Sequence, residues 1–172
     1  VTKLARPLLG FLQRIERGVD AVIEPTVFLG MAALIGVITL QIISRVLFSA
    51  VGWTEEVARF LLVWITFLGA TLAFQRGRHI AVTFAVDALP GRLRQVARIA
   101  ATLIVLAFMV ALVVIGYRYM QVQSFQKSAS MRLSMTYVYA VIPLSAALMG
   151  WYALVDLLEL LVDGKRLEEP KL

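Results

Sequence analysis

The chain of 172 residues is 60% hydrophobic and 16% charged, with a formal net charge of +6 and a mean hydropathy of +0.85. Soluble domains carry roughly 45–50% apolar and about 25% charged residues, so this composition excludes a soluble domain and implies an integral membrane protein. The absence of cysteine and the single histidine exclude a disulfide framework, a thiolate metal site, a cysteine nucleophile and a bis-histidine haem held by this chain alone, and no cofactor is expected.

Residues 1–24 open the chain. Arg6, Gln13, Arg14, Glu16, Arg17 and Asp20 interrupt any apolar core of a signal peptide. Leu4, Leu8, Phe11, Leu12, Ile15, Val19 and Val22 recur at helical spacing, with Lys3, Arg6, Gln13, Arg17 and Asp20 opposite. This predicts an amphipathic helix in the membrane interface; the alternative is a solvated helix packed on a partner domain. Glu24-Pro25 is expected to open a new helix, because proline is tolerated in a first turn.

A four-helix transmembrane domain is predicted over 25–160, with spans at about 25–48, 54–76, 97–120 and 133–156, the length that crosses a hydrocarbon core. Thr54 is expected to cap the second span, with Glu55 and Glu56 at the positive end of its dipole. Ile80 to Leu89 is too short to span and reads as a short interfacial helix, or a strand. Pro143 is expected to kink the fourth span. Residues 161–172 form a tail expected to fray.

Lysine and arginine divide unevenly between the two sides. Four lie in the N-terminal segment, five in 76–98 and three in the tail, against Arg45, Arg59, Arg118, Lys127 and Arg132 on the other side. Twelve against five places both termini in the cytoplasm. The basic clusters between apolar blocks suit lipid headgroups and topology and not nucleic acid.

The interiors of spans one, three and four hold no ionisable residue, whereas ion pathways and proton relays normally need such groups near the midplane. An autonomous four-helix transporter therefore lacks its carboxylate, and one histidine without cysteine disfavours a redox enzyme. Polar chemistry concentrates at the mouth of span two. Glu55 and Arg59 are four apart and can pair, while Glu56 points elsewhere, free for another helix. This set is either a docking contact or a charge-balanced helix start. Trp53 reads as an interfacial anchor, Trp64 as a helix-packing residue, and Gly69 with Ala73 and Gly77 as small residues permitting close helix approach. Arg14, Arg17, Arg76, Arg78 and His79 are candidates for lipid headgroups, with a solvated loop histidine as the plainer reading of His79.

Trp53-Thr54-Glu55-Glu56-Val57-Ala58-Arg59, then Trp64, Phe67-Leu68-Gly69-Ala70 and Gly77-Arg78-His79-Ile80, resembles the small membrane subunit of tripartite ATP-independent periplasmic (TRAP) transporters, the DctQ-type family. Ser44 to Phe48, Leu89-Pro90 and Tyr139 to Pro143 fit the same pattern, so the resemblance covers roughly residues 25–160. Thr83, where the family often has an acid, and Arg132, in a connection usually less charged, depart from it. The resemblance implies an inner-membrane companion, not an enzyme, of a large membrane subunit that carries substrate and sodium sites. It further implies a periplasmic substrate-binding protein as the third component, and substrates such as C4-dicarboxylates, sialic acids or related carboxylates.

Overall fold

A computed structural model describes residues 2–47, 51–86 and 91–163. The backbone is helical almost throughout. Helix α1 runs Thr2–Leu47, α2 Gly52–Val86, α3 Gly91–Val122, α4 Met135–Tyr139 and α5 Val141–Asp163, with a single 3-10 turn at Gln123–Phe125. Among the described residues, four stretches are long and apolar enough to cross a membrane: Gly10–Leu47, Gly52–Gly77, Leu93–Phe125 and Met135–Leu161, the last assembled from α4 and α5. The chain is a multi-pass, all-α membrane protein, as its composition implies.

The boundary expected at Glu24-Pro25 does not interrupt the helix. α1 is continuous for 46 residues, about 70 Å at the helical rise, against a hydrocarbon core of roughly 30 Å. Pro25 removes one backbone donor, and Thr26 Oγ1 donates to the Val22 carbonyl one turn back at 2.7 Å, adding a bond beside the gap. What carries the helix through is its packing face. Ile23, Val27, Gly30, Leu34, Val37, Gln41 and Ser44 recur every three or four residues and are all buried or half-buried. At Gly30 the approach to α2 is so close that a Cβ would stand 2.9 Å from Ile65 Cγ1.

α2 likewise runs further than the second span. Residues 80–86 are helical, but they continue α2 instead of forming a separate helix or a strand; residues 87–90 lie outside the described part. Thr54 does not cap this helix. It lies inside the first turn, fully buried, and donates its hydroxyl to the Val51 carbonyl at 2.7 Å.

The hydrogen-bond ladder of the fourth span is interrupted between α4 and α5, where Ala140 itself keeps helical dihedrals, with φ of −58° and ψ of −26°. Proline both lacks the N–H that would reach the carbonyl four residues earlier and crowds that carbonyl; for Pro143 it belongs to Tyr139, the last residue of α4. α3 approaches α5 closely here: a Cβ on Gly116 would meet Ile142 Cγ2 at 3.0 Å and the Pro143 nitrogen at 3.3 Å.

α5 is the hub of the bundle. It packs against α3 on one side and against α2 and α1 on the other. The core cluster of Ile23, Leu68 and Val141, with Trp64, Phe67 and Ile142 against it, lies among α1, α2 and α5. The opposite faces of α1 and α3 leave Phe28, Ile35, Val46, Ile104, Phe108 and Ile115 exposed, which in a membrane means facing hydrocarbon or another apolar chain. Thr66, Thr71 and Thr102 each donate to the carbonyl four residues back, whereas the buried Ser145 hydroxyl on α5 finds no partner among the described residues.

Candidate functional site

Ionisable side chains gather at the two ends of the bundle, and each end holds one polar constellation. At the first, Asp20 on α1 reaches across to two other helices. Its Oδ2 accepts from Gln75 Nε2 on α2 and its Oδ1 from Tyr152 Oη on α5, both at 2.7 Å. Tyr152 is completely buried, where a hydroxyl gains from such a bond because an unpaired buried hydroxyl is costly. One turn further along α1, Glu24 pairs with Arg76 at 3.0 Å. The pair is exposed, and it repeats the α1–α2 link next to the half-buried one from Asp20 to Gln75.

At the other end Glu56 closes a clasp. Its carboxylate accepts from Ser128 Oγ at 2.8 Å, from the Ser130 amide at 2.8 Å and from the Met131 amide at 3.0 Å. The loop it holds is itself ordered by its backbone. The Ser128 amide donates to the Leu133 carbonyl at 2.8 Å and the Met135 amide to the Gln126 carbonyl at 3.0 Å, with an antiparallel bridge between Lys127 and Ser134. Ser134 caps α4 through the Thr136 amide. Arg132 turns the loop with φ of 53°, a left-handed conformation uncommon for a side chain other than Gly, Asn or Asp. Edge-to-face packing of Tyr119 on Tyr139, centroids 5.0 Å apart, fastens the end of α3 to α4.

Glu55 and Arg59 do pair, at 3.4 Å and largely exposed. Glu56 is not free for another helix, because the 128–131 loop occupies it. Trp64 packs on the core cluster, whereas Trp53 is 41% exposed. Gly69 and Gly77 have no neighbour within 4 Å of a would-be Cβ; the close approaches inside this chain use Gly30 and Gly116 instead. Arg14 and Arg17 are exposed on α1, and Arg76 is taken by Glu24. The backbone of Arg78 and His79 continues α2, and their side chains lie outside the described residues. Sequence reading missed Asp20, which it placed on the polar face, and gave Tyr152 no part in the packing. The signal was present: Glu16, Asp20, Ile23 and Val27 share the three-and-four spacing of the α1 packing face.

Among the described residues no group of three or more His, Cys, Asp or Glu could hold a metal ion. An apolar groove of about 250 Å³ runs between α3 and α5, lined by Met109, Val113, Ala147, Gly150 and Trp151 among others, and no charged group converges on it.

Residues 34–163 match the family model described as the DctQ component of tripartite ATP-independent periplasmic transporters. The sialic acid TRAP transporter small permease protein SiaQ of Vibrio cholerae is 30% identical over 154 residues, 89% of this chain and 87% of that protein. Two longer proteins match over part of their length. The sialic acid TRAP transporter permease protein SiaT of Haemophilus influenzae is 29% identical over 118 residues, 68% of this chain but 19% of that protein. The isethionate TRAP transporter permease protein DctMQ of Oleidesulfovibrio alaskensis is 32% identical over 143 residues, 78% of this chain and 22% of that protein.

Proposed function

Because the chain belongs to the DctQ component family of tripartite ATP-independent periplasmic transporters, a permease component and not an enzyme, we propose that it braces and anchors a large transport subunit. The transport it serves is sodium-driven, binding-protein-dependent uptake of an organic acid. The observation that carries this reading is the placement of charge. Both polar constellations sit at the ends of the bundle and stitch this chain to itself, and the described spans offer no ionisable group at mid-depth to a passing ion or anion. Substrate and sodium sites are then the large subunit's. The longer relatives, in which a region like this chain is one part of a larger permease, support a partner of that kind.

In this reading the protein lies in the bacterial inner membrane with both termini cytoplasmic, following the lysine and arginine balance. The Asp20 junction then faces the cytoplasm and the Glu56 clasp the periplasm. The first half of α1 continues the first span past the inner boundary of the membrane, with Arg14 and Arg17 within reach of lipid phosphates and Arg76, Arg78 and His79 near that boundary. Trp53, the Glu55–Arg59 pair and the open flank beside Gly69 are the surface offered to the large subunit. The substrate is a carboxylate such as sialic acid or a C4-dicarboxylate, or a similar organic anion.

Reconstitution tests this division of labour. Proteoliposomes holding this chain alone should show no sodium-dependent uptake of labelled organic acid. Uptake should appear when the large permease and the binding protein are supplied. Uptake by the chain alone would overturn the reading and make it an autonomous four-helix transporter.

A further inference from the structure

The face closed by the Glu56 clasp is amphiphilic in a way that bracing does not use. Phe125, at the last residue of the 3-10 turn, is 92% exposed; Tyr137 is 71% and Val122 70% exposed, and Met131 and Leu133 are also exposed. Among these side chains stand Arg118, Lys127 and Arg132, all exposed. The carboxylates nearest in the fold are already engaged, Glu55 by Arg59 and Glu56 by the loop itself. The described residues give none of the three cations an ion pair.

The clasp also decides how deep this face lies. By binding the Ser130 and Met131 amides, Glu56 draws the loop down to the first turn of α2; the Ser130 hydroxyl stands 3.6 Å from where a Cβ on Gly52 would be. The loop therefore lies level with Trp53, at the rim of the apolar spans, and does not stand out into water. A soluble loop gains nothing by exposing Phe, Met and Leu, whereas apolar and aromatic tips interleaved with cations are the composition of a segment seated in the headgroup layer. Arg132 adds an independent observation. A left-handed residue would be held by glycine at least cost, yet this turn keeps a long cationic side chain there, and strain retained at a position is a pointer to use.

We infer that residues 118–137 form a lipid anchor on the face opposite the Arg14 and Arg17 end, in which Arg118, Lys127 and Arg132 bind lipid phosphodiesters while Phe125 and Leu133 enter the interface. Glu56 is the positioning residue of this anchor. It touches no lipid but sets the height of the loop. The inference depends on the chain's being a membrane protein and not on its role in transport.

The lack of native cysteine makes the test direct. Nitroxide labels are placed through Phe125→Cys and, separately, Leu133→Cys in the full chain assembled with its large subunit. The complexes are set in nanodiscs of phosphatidylethanolamine with and without phosphatidylglycerol. Collisional accessibility should favour oxygen over a water-soluble nickel complex at both positions, and adding Glu56→Gln should shift both toward the aqueous side. Retention of phosphatidylglycerol, read by native mass spectrometry, should fall about fivefold for each cation removed in Arg118→Gln, Lys127→Gln or Arg132→Gly, the effect of one interfacial charge. Arg132→Gly relieves the backbone, so its loss of lipid cannot be put down to misfolding. Aqueous accessibility at both labels, or lipid retention unchanged in all three cation variants, would overturn the anchor; the first result would make this face a docking surface for a soluble protein instead.

Discussion

The two ends of the bundle use a carboxylate in opposite ways. Asp20 joins side chain to side chain across three helices and serves a completely buried tyrosine. Glu56 joins one helix to a loop, mainly through backbone amides, at a surface. The first sets where α1, α2 and α5 stand relative to one another, so its loss is felt by the whole packing. The second sets the shape of a short connection, so its loss should stay local. Helices in a bilayer gain little from hydrophobic association, because the lipid is as apolar as they are. A polar stitch at the rim is therefore worth proportionally more to this fold than a similar bond on a soluble protein.

The contrast can be broken by substitution. Asp20→Leu removes the acceptor that the Tyr152 hydroxyl and the Gln75 amide share. It should destabilise the purified subunit by about 3 kcal/mol, since hydrogen bonds to a charged group run about 1.5–3 kcal/mol each and do not add fully. Thermal unfolding in detergent measures this, and Tyr152→Phe should lose less because it removes only one bond and leaves Asp20 its second partner. An Asp20→Leu protein as stable as the parent would show that apolar contact alone sets the three helices.

Next in size is a comparison of glycines. Gly116→Leu must displace Ile142 or the Pro143 backbone and should cost about 1–3 kcal/mol as overpacking. Gly69→Leu meets open space and should leave subunit unfolding unchanged while reducing co-purification with the large permease. Equal loss of thermal stability at the two positions would remove the distinction between an internal and an external face.

Smaller again is Glu56→Gln. Amide hydrogen exchange should quicken at Ser130 and Met131 and remain unchanged around Tyr152, with a smaller shift in unfolding temperature than Asp20→Leu produces. Exchange rising throughout the bundle would make the clasp global after all. The smallest effect belongs to Arg59→Gln. Its partner Glu55 is 60% exposed and Arg59 68%, and pairs of that kind contribute about 0.5 kcal/mol or less.

Much of this was legible before any coordinates. The spans are visible because twenty apolar residues have few alternatives, and the Glu55–Arg59 pair because helical spacing alone brings the two together. Pro143 announced an interruption, which falls between α4 and α5 because the proline acts on the carbonyl four residues back. What escaped were features decided by other segments. Pro25 fits a first turn or an uninterrupted helix equally well, and only the packing face from Ile23 to Ser44 against α2 chooses. Glu56 was recognisable as a charged residue at a helix start, but its partners lie 72 to 75 positions away and two of them are backbone amides, which no residue type advertises. Tyr152 sits among residues that resemble an interfacial belt, and its burial follows from α1 lying beside α5.

The account rests on this chain's being a companion subunit, and the measurement that tests it most directly is recovery from native membranes. The chain, tagged at its C-terminus, would be captured in mild detergent and everything retained with it identified by intact mass. One large polytopic permease at fixed stoichiometry is the expected companion. Recovery of the chain alone, or only with further copies of itself, would contradict it.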